Sequence, residues 1–392
     1  MSEVAQVPYD PVGASQAALP TLRQMSAQAD MMRRVTPEAI KAMADAGLAR
    51  LMTPKVYGGL ELPVSTQIRA CMATGGACSA ASWVNMVCAA HTYVVARFPK
   101  QCRDEVFGNT PDVLIPGALA PQGQLNRADG GWMLNGRWHY GSGIDHGPWV
   151  LLGTLGEKTA DGKRSAPMHV VVPKSDITVE DTWHTLGMRG TGSKDLIAKD
   201  VFVPGHRAME TAPLFNGDFQ GDAEPLYRLP AMGGLASMLA GTVVGFSEAG
   251  LATFLDATRV RREVYAGASK AAKVGVQLRV AEASAELAMA RSLLEQNCII
   301  LDDGLMRKEF PLPMAQRVQI RWNAAYAVEL CRRAIERIFA VAGAHALYDG
   351  HPLQRVYRDI SMASHHAIVD FDNAAELKGR LELGLEPPGG LV

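Results

Sequence analysis

The constraint that most narrows the fold of this chain is a change of rhythm near residue 112 that is undone near residue 213. On either side of that block, apolar residues recur at helical spacing. Within it they come as short runs: Val113-Leu114-Ile115, Trp132-Met133-Leu134, Trp149–Leu152, Met168–Val172, Leu196-Ile197 and Val201–Val203. Glycine, proline and charged turns separate these runs, which is the signature of strands. The 392 residues are too many for one ordinary core. The rhythm predicts an α+β, mostly α chain: a helical domain over 1–111, a β-barrel or sandwich over 112–212 and a helical bundle over 213–392.

Punctuation supports the helical parts. Thr36-Pro37-Glu38 reads as N-cap, first-turn proline and first-turn acid, and Gly47 closes that helix. Ser79 to Arg97 reads as a largely buried helix carrying Trp83, Met86, His91 and Tyr93. Gly233 to about Arg261 is rich in glycine and alanine, which lets helices approach closely. Val276, Val280, Ala283, Leu287, Ala290 and Leu294 form one stripe of a bundle helix. A last helix starts near Pro352 and passes through Arg358-Asp359 to His365-His366. Residues 204 to about 227 form a polar connection, and about a dozen residues precede the first helix as a tail.

Composition excludes several classes. With 20% charged residues and a formal net charge of −1, the chain has no electrostatic footprint for nucleic acid. No membrane-spanning apolar run and no leader pattern are expected, so the cytoplasm is the predicted location. The cysteines at 71, 78, 88, 102, 298 and 331 form no Cys-x-x-Cys pair, which predicts buried thiols and no metal site.

Two stretches stand apart from this regular pattern. Asp129-Gly130 signals a tight hairpin, and Arg137-Trp138-His139-Tyr140 then alternates as a strand does. The alternation breaks at Gly141-Ser142-Gly143, where two glycines flank one hydroxyl. Such a backbone can pass close to something flat while Ser142 meets its edge. Spacing alone favours a β-bulge with a solvated serine. The second stretch is Trp183-His-Thr-Leu-Gly-Met-Arg-Gly-Thr-Gly-Ser193, leading to Val201-Phe-Val-Pro204. Its Gly187-x-x-Gly190-x-Gly192 spacing is not a dinucleotide fingerprint and reads as a turn.

Taken together, the two stretches resemble the middle domain of the acyl-CoA dehydrogenase superfamily. There a strand ending in Trp-Ile-Thr-Asn lays its threonine against flavin N5, and a Gly-Met-Arg-x-Thr/Ser-x-Ser run precedes a strand closing on Phe-Val-Pro. The resemblance implies that Ser142 takes the threonine's place and that Tyr140, Trp138 and Gly143 lie against the cofactor. It places Thr191 and Ser193 near the flavin, and Arg261 and Arg262 where the superfamily keeps a basic residue for the cofactor phosphates.

Two departures select a branch. The superfamily's catalytic glutamate in Glu-Gly-Thr is missing; after Arg358-Asp359 the chain reads Ile-Ser-Met-Ala-Ser-His365-His366-Ala367. Gly117-Ala-Leu-Ala-Pro121-Gln-Gly123 stands where dehydrogenases carry Thr-Glu-Pro-x-x-Gly-Ser-Asp. Both resemble the flavin-dependent monooxygenases of this fold, the oxygenase components of two-component phenol, indole and thiophene hydroxylases. That resemblance implies reduced flavin (FMNH2 or FADH2) and O2 reacting through a C4a-hydroperoxyflavin to hydroxylate a small aromatic substrate. It casts His366, or the adjacent His365, and His91 as catalytic imidazoles. It also implies a separate NAD(P)H:flavin reductase and a homotetramer, with no membrane or nucleic-acid partner. Val341-Ala-Gly343-Ala-His345 departs from the usual adenine-side glycine loop and weakens the case for FAD. A dehydrogenase or flavin oxidase, and a catalytically silent scaffold, are the alternatives.

Overall fold

A computed structural model describes residues 11–157, 163–217, 224–262 and 267–387. The N-terminal block is helical: α1 (Pro11–Met32), α2 (Pro37–Asp45), α3 (Val64–Gly75), α4 (Ser79–Val95) and α5 (Lys100–Phe107). The predicted cap of α2 is present, with Thr36 Oγ1 accepting from Ala39 N at 3.3 Å, and Gly47 sits at φ 71° where the chain turns away. Helix α4 is buried along nearly all of its length, so it forms the axis on which the other elements pack.

The middle block folds as β1 (Gly117–Ala128), β2 (Gly131–Gly141), β3 (Trp149–Leu155), β4 (Met168–Pro173), β5 (Thr178–Glu180), β6 (Lys194–Pro204) and β7 (Ala208–Glu210). Ala128 pairs with Gly131 across Asp129-Gly130, with Gly130 at φ 72°, the hairpin the sequence predicts. All seven strands join one sheet in the order β5-β6-β2-β1-β3-β4-β7. Side chains of β4 (Val170, Val172) and β6 (Leu196, Val203) share a core with Leu134, Trp138 and Val150, although three strands separate β4 from β6. The sheet therefore curls around its own small core, in the manner of a partly closed barrel.

The connection after the sheet contains a short helix, α6 (Thr211–Asn216). The bundle follows with α7 (Ala231–Val260), α8 (Val274–Arg307), α9 (Met314–Ala342), α10 (Pro352–Ala363) and α11 (Phe371–Glu382). Val276, Ala283, Leu287, Ala290 and Leu294 are the buried face of α8. Asn297 Nδ2 donates to Ser237 Oγ and to Ile320 O, both at 2.9 Å, and its Oδ1 accepts from Asn323 at 2.9 Å. This buried, satisfied network ties α7, α8 and α9 in one register.

One sequence expectation needs correction. Helix α7 is long and apolar enough to cross a membrane, although 67% of its most apolar window is buried inside the protein. Its first half is apolar on all sides because neighbours cover it there on all sides, with residues 233–247 buried throughout. Close approach requires glycine there: a Cβ at Gly245 would lie 2.1 Å from Met72 O of α3.

Candidate active site

At the end of β2 the backbone leaves the sheet. Tyr140 adopts φ 68°, the pairing with β6 slips between Trp138 and Gly141, and Ser142 N donates to Tyr140 O at 2.7 Å. The sequence-predicted bulge is thus present, and a non-glycine residue holds its left-handed corner, a conformation that costs about 1 kcal/mol or more. Gly143 follows at φ 74°, and a Cβ on it would meet Val84 Cγ1 at 2.8 Å. The bulge is pressed directly onto α4.

Ser142 is buried and does not face open solvent. Its Oγ lies 2.7 Å from Ser193 Oγ, which lies 2.6 Å from Thr191 Oγ1, which donates to Met188 O at 2.8 Å. Gly143 N donates to Thr191 O at 3.0 Å, so the two stretches singled out in the sequence form one unit.

The turn that carries Thr191 and Ser193 is held from below by Asp359. This carboxylate is buried and accepts from Met188 N at 2.6 Å and from Ser79 Oγ. Burial pushes its pKa up, and the two donors pull it part of the way back. Arg358 next to it pairs with Asp30 of α1 at 2.8 Å and donates to Leu186 O at 2.9 Å. The Arg358-Asp359 pair therefore positions the turn.

Helix α10 ends just before the two histidines. His366 Nδ1 accepts from Ile368 N at 3.2 Å, capping a short 3-10 turn, and its ring meets Trp83 edge-on at 5.7 Å. An Nδ1 that accepts leaves the proton of a neutral imidazole on Nε2. His366 is exposed, and the protein packed around its ring lowers its pKa to about 4. Its neighbour His365 turns back on its own helix, with Nδ1 2.7 Å from Ser361 O. Consecutive residues of α4 thus meet the two regions, Trp83 at His366 and Val84 at Gly143.

His91 lies two turns further along α4, 3% exposed, with Nδ1 2.7 Å from Ile115 O. The Nδ1–H donates to that carbonyl, which leaves the ring's lone pair on Nε2. Burial lowers its pKa to about 4, against the opposing pull of the Ile115 and Pro116 carbonyls. Gly117, two residues after the Ile115 whose carbonyl His91 bonds, forms a bridge with Ser142.

Three predicted cofactor residues lie elsewhere within the chain. Trp138 is fully buried in the β core and donates to Gly153 O at 2.6 Å, because strand alternation turns it inward. Arg261 donates to Ala342 O at 2.7 Å and Arg262 to Gly267 O at 3.1 Å. Both follow α7 some nineteen residues after Thr242, which touches Ser82 at 3.0 Å. That is about 28 Å along the helix axis from Thr242, and it sets Arg261 close enough to His351 to act on its charge, next to Gly350 of an arginine-lined cavity. Tyr140 is 64% exposed and stands 6.1 Å edge-on from Trp183.

Trp183 is a wall of the cleft that sequence reasoning passed over. Its indole donates to Met188 O at 3.0 Å, fixing it beside Tyr140. Trp83, read from the sequence as core, is buried and also borders His366. A cavity of about 640 Å3 opens beyond the Trp183 loop, lined by Arg33, His184, Arg189, Arg355 and Arg358 with Asp30 and Asp349. It contains none of the residues that carry the chemistry, and its excess of arginine suits a phosphate. Among the described residues no cluster of His, Cys, Asp or Glu is arranged to hold a metal.

Comparisons with known proteins bear on the fold and the family. Residues 14–101 match the N-terminal domain of acyl-CoA dehydrogenase and residues 237–371 its C-terminal domain. The chain is 32% identical to the oxygenase component of p-hydroxyphenylacetate 3-hydroxylase from Acinetobacter baumannii, over 96% of this chain and 90% of that one. It is 31% identical to the oxygenase component of an FADH2-dependent resorcinol hydroxylase from Rhizobium sp., over 94% of this chain and 92% of that one. The structure of XiaF from Streptomyces sp. in complex with FADH2 and glycerol superposes with a TM-score of 0.91 at 29% identity, covering 97% of each chain.

Proposed function

Because the chain belongs to the acyl-CoA dehydrogenase superfamily, in its branch of flavin-dependent oxygenase components, we propose that its cleft takes reduced flavin from a separate reductase and hydroxylates a small aromatic substrate with O2. The observation that carries this reading is His366. A neutral imidazole with its proton on Nε2 borders the cleft, and residues 360–369 contain no carboxylate that could act as a dehydrogenase base.

The cleft suits a flat, polar, electron-rich ring. Trp83, Tyr140 and Trp183 are aromatic surfaces, a buried hydroxyl cluster waits at the ring's edge, and arginines lie beyond the Trp183 loop for a phosphate. Reduced flavin, when bound, supplies the electrons that activate O2. Ser142 Oγ bonds the ring edge and orients it, and Thr191 and Ser193 hold Ser142. His366 presents its Nε2–H to oxygen. His91 offers its Nε2 lone pair to a substrate hydroxyl or ring N–H; with a pKa of about 4 it orients that proton rather than removing it. Ser142, Thr191 and Ser193 are buried, which keeps bulk water from the hydroxyls that meet the ring edge.

Relatives use FADH2, and solved structures of the fold hold FADH2 or FMN, so either flavin is a candidate here. A homotetramer is the assembly that fits a second feature. Leu278, Ala281, Ala285, Met289, Ser292 and Ile299 line the outer face of α8 at helical spacing, and its largest side chains are more than half exposed. A helix from another copy would cover this stripe, and assembly is also what could bring Arg261 to a neighbouring cofactor. Six buried, unpaired thiols suit a reducing compartment such as the cytoplasm.

Reconstitution tests the reading. With a flavin reductase, NADH, FMN or FAD and a panel of phenols and indoles, a hydroxylated product is expected, and NADH without reductase should give none. Reduction of an artificial electron acceptor by acyl-CoA thioesters would instead support a dehydrogenase.

A further inference from the structure

The hydroxyl chain beneath the cleft has a direction, and the direction is fixed at its far end. Met188 O is a carbonyl and can only accept, so at 2.8 Å the hydrogen must come from Thr191 Oγ1. With that hydrogen committed, the 2.6 Å contact between Thr191 and Ser193 must be filled by the hydrogen of Ser193. The 2.7 Å contact between Ser193 and Ser142 must then be filled by the hydrogen of Ser142. Each hydroxyl has one hydrogen, so Ser142 is left with lone pairs alone. Met188 O itself cannot move to relax the chain, because the indole of Trp183 donates to it at 3.0 Å and Asp359 holds Met188 N at 2.6 Å.

We infer that Thr191 and Ser193 are positioning residues that make Ser142 an obligate hydrogen-bond acceptor, so that the site selects the reduced over the oxidised form of the flavin. The inference rests on the cofactor reading above and adds a reason for it. N5 of a reduced flavin carries a hydrogen and can donate to Ser142. N5 of an oxidised flavin carries only a lone pair, which would face the lone pairs of Ser142. A single hydroxyl could serve both states by rotating. The relay to Met188 O removes that freedom, and the three oxygens are buried, so bulk water does not compete to reset it.

Anaerobic binding tests this without turnover. Dissociation constants for FMN and FMNH2, and for FAD and FADH2, are measured on the full chain and on Thr191→Val, Thr191→Ser and Ser193→Ala. Wild type should bind the reduced form more tightly. Thr191→Val keeps the shape but removes the fixed donor, and Ser193→Ala frees the hydrogen of Ser142. In both, the preference for reduced flavin should fall by about tenfold, the scale of one hydrogen bond. For a two-electron couple that is a shift of about 30 mV in the bound flavin's potential. Thr191→Ser should keep the wild-type ratio. Equal weakening of both redox states, or an unchanged ratio in Ser193→Ala, overturns the inference and leaves Thr191 and Ser193 as packing residues. If wild type binds neither flavin in either state, it is the cofactor reading that fails.

Discussion

Replacing His366 separates its two roles, because the structure assigns them to different atoms. Nδ1 caps a 3-10 turn by accepting from Ile368 N at 3.2 Å, which leaves the proton on Nε2 of a ring set edge-on to Trp83. Asparagine can do both jobs in part: its oxygen is a strong N-cap acceptor and its amide is a donor. Alanine can do neither. His366→Ala should therefore lose about 1 kcal/mol of stability through the cap, while His366→Asn stays near wild type. Product formation should fall about 100-fold in His366→Ala, the usual scale for a positioned acid or donor, and less in His366→Asn. The pH profile is the sharper readout. An ordinary histidine would titrate near pH 6.5, but the protein around His366 lowers its pKa to about 4. Its neutral form should persist from about pH 5 upward, so single-turnover yield with pre-reduced flavin should show no histidine step near pH 6–7. His365→Ala is the control, because that ring already bonds Ser361 O of its own helix. A step near pH 6.5 lost in His366→Asn, or a His365→Ala variant more damaged than His366→Ala, would refute the argument.

Further outcomes follow from neighbouring residues. Ser142→Ala removes the hydrogen bond at the cofactor edge, worth about 1 kcal/mol, and should raise the hydrogen peroxide released per product; unchanged coupling would show that Ser142 does not meet the ring. Asp359→Ala leaves Met188 N and Ser79 Oγ buried without their acceptor and should cost about 3 kcal/mol in urea unfolding, whereas Asp359→Asn keeps one acceptor and should cost less. Acid stability has a defined sign: burial lowers the pKa of His91 to about 4 and of His169 to about 3. The unfolded chain takes up these protons below about pH 6.5 and the folded chain does not. Stability should therefore be complete above that pH and fall between about pH 6.5 and 4, by about 3 kcal/mol for His91 alone. A flat stability profile across that window would show that the rings are solvated.

Much of this molecule could be read from its residues where the cause is local. Asp129-Gly130 makes its hairpin, Thr36 caps α2, and the stripe from Val276 to Leu294 faces the bundle, because each depends on neighbours within a turn or two. The order of blocks followed from rhythm alone. What escaped depends on distant partners. Trp138 looked like its neighbour Tyr140, but the bulge at Tyr140 falls after it and leaves it pointing into the sheet core. Arg261 and Arg262 could be placed on the end of a helix, but their partners Ala342 O and Gly267 O could not be seen until α7 was known as one uninterrupted rod. Helix α7 lacks a conspicuous apolar face because Gly75, Gly245 and their like bring neighbours against it from several directions. Asp359 acts through Met188, and no spacing links residues 171 positions apart. The Ser142–Ser193–Thr191 relay likewise needed the two stretches to be folded together before its direction could be seen.

Isotope labelling tests the central claim most directly. The protein would be mixed with pre-reduced flavin and a substrate found by the phenol and indole screen, under 18O2 in unlabelled water, and the product weighed by mass spectrometry. An oxygenase predicts one 18O atom per hydroxylated product, in amounts that follow the reduced flavin supplied. Product carrying oxygen from water, or substrate oxidised with no oxygen added, would contradict it.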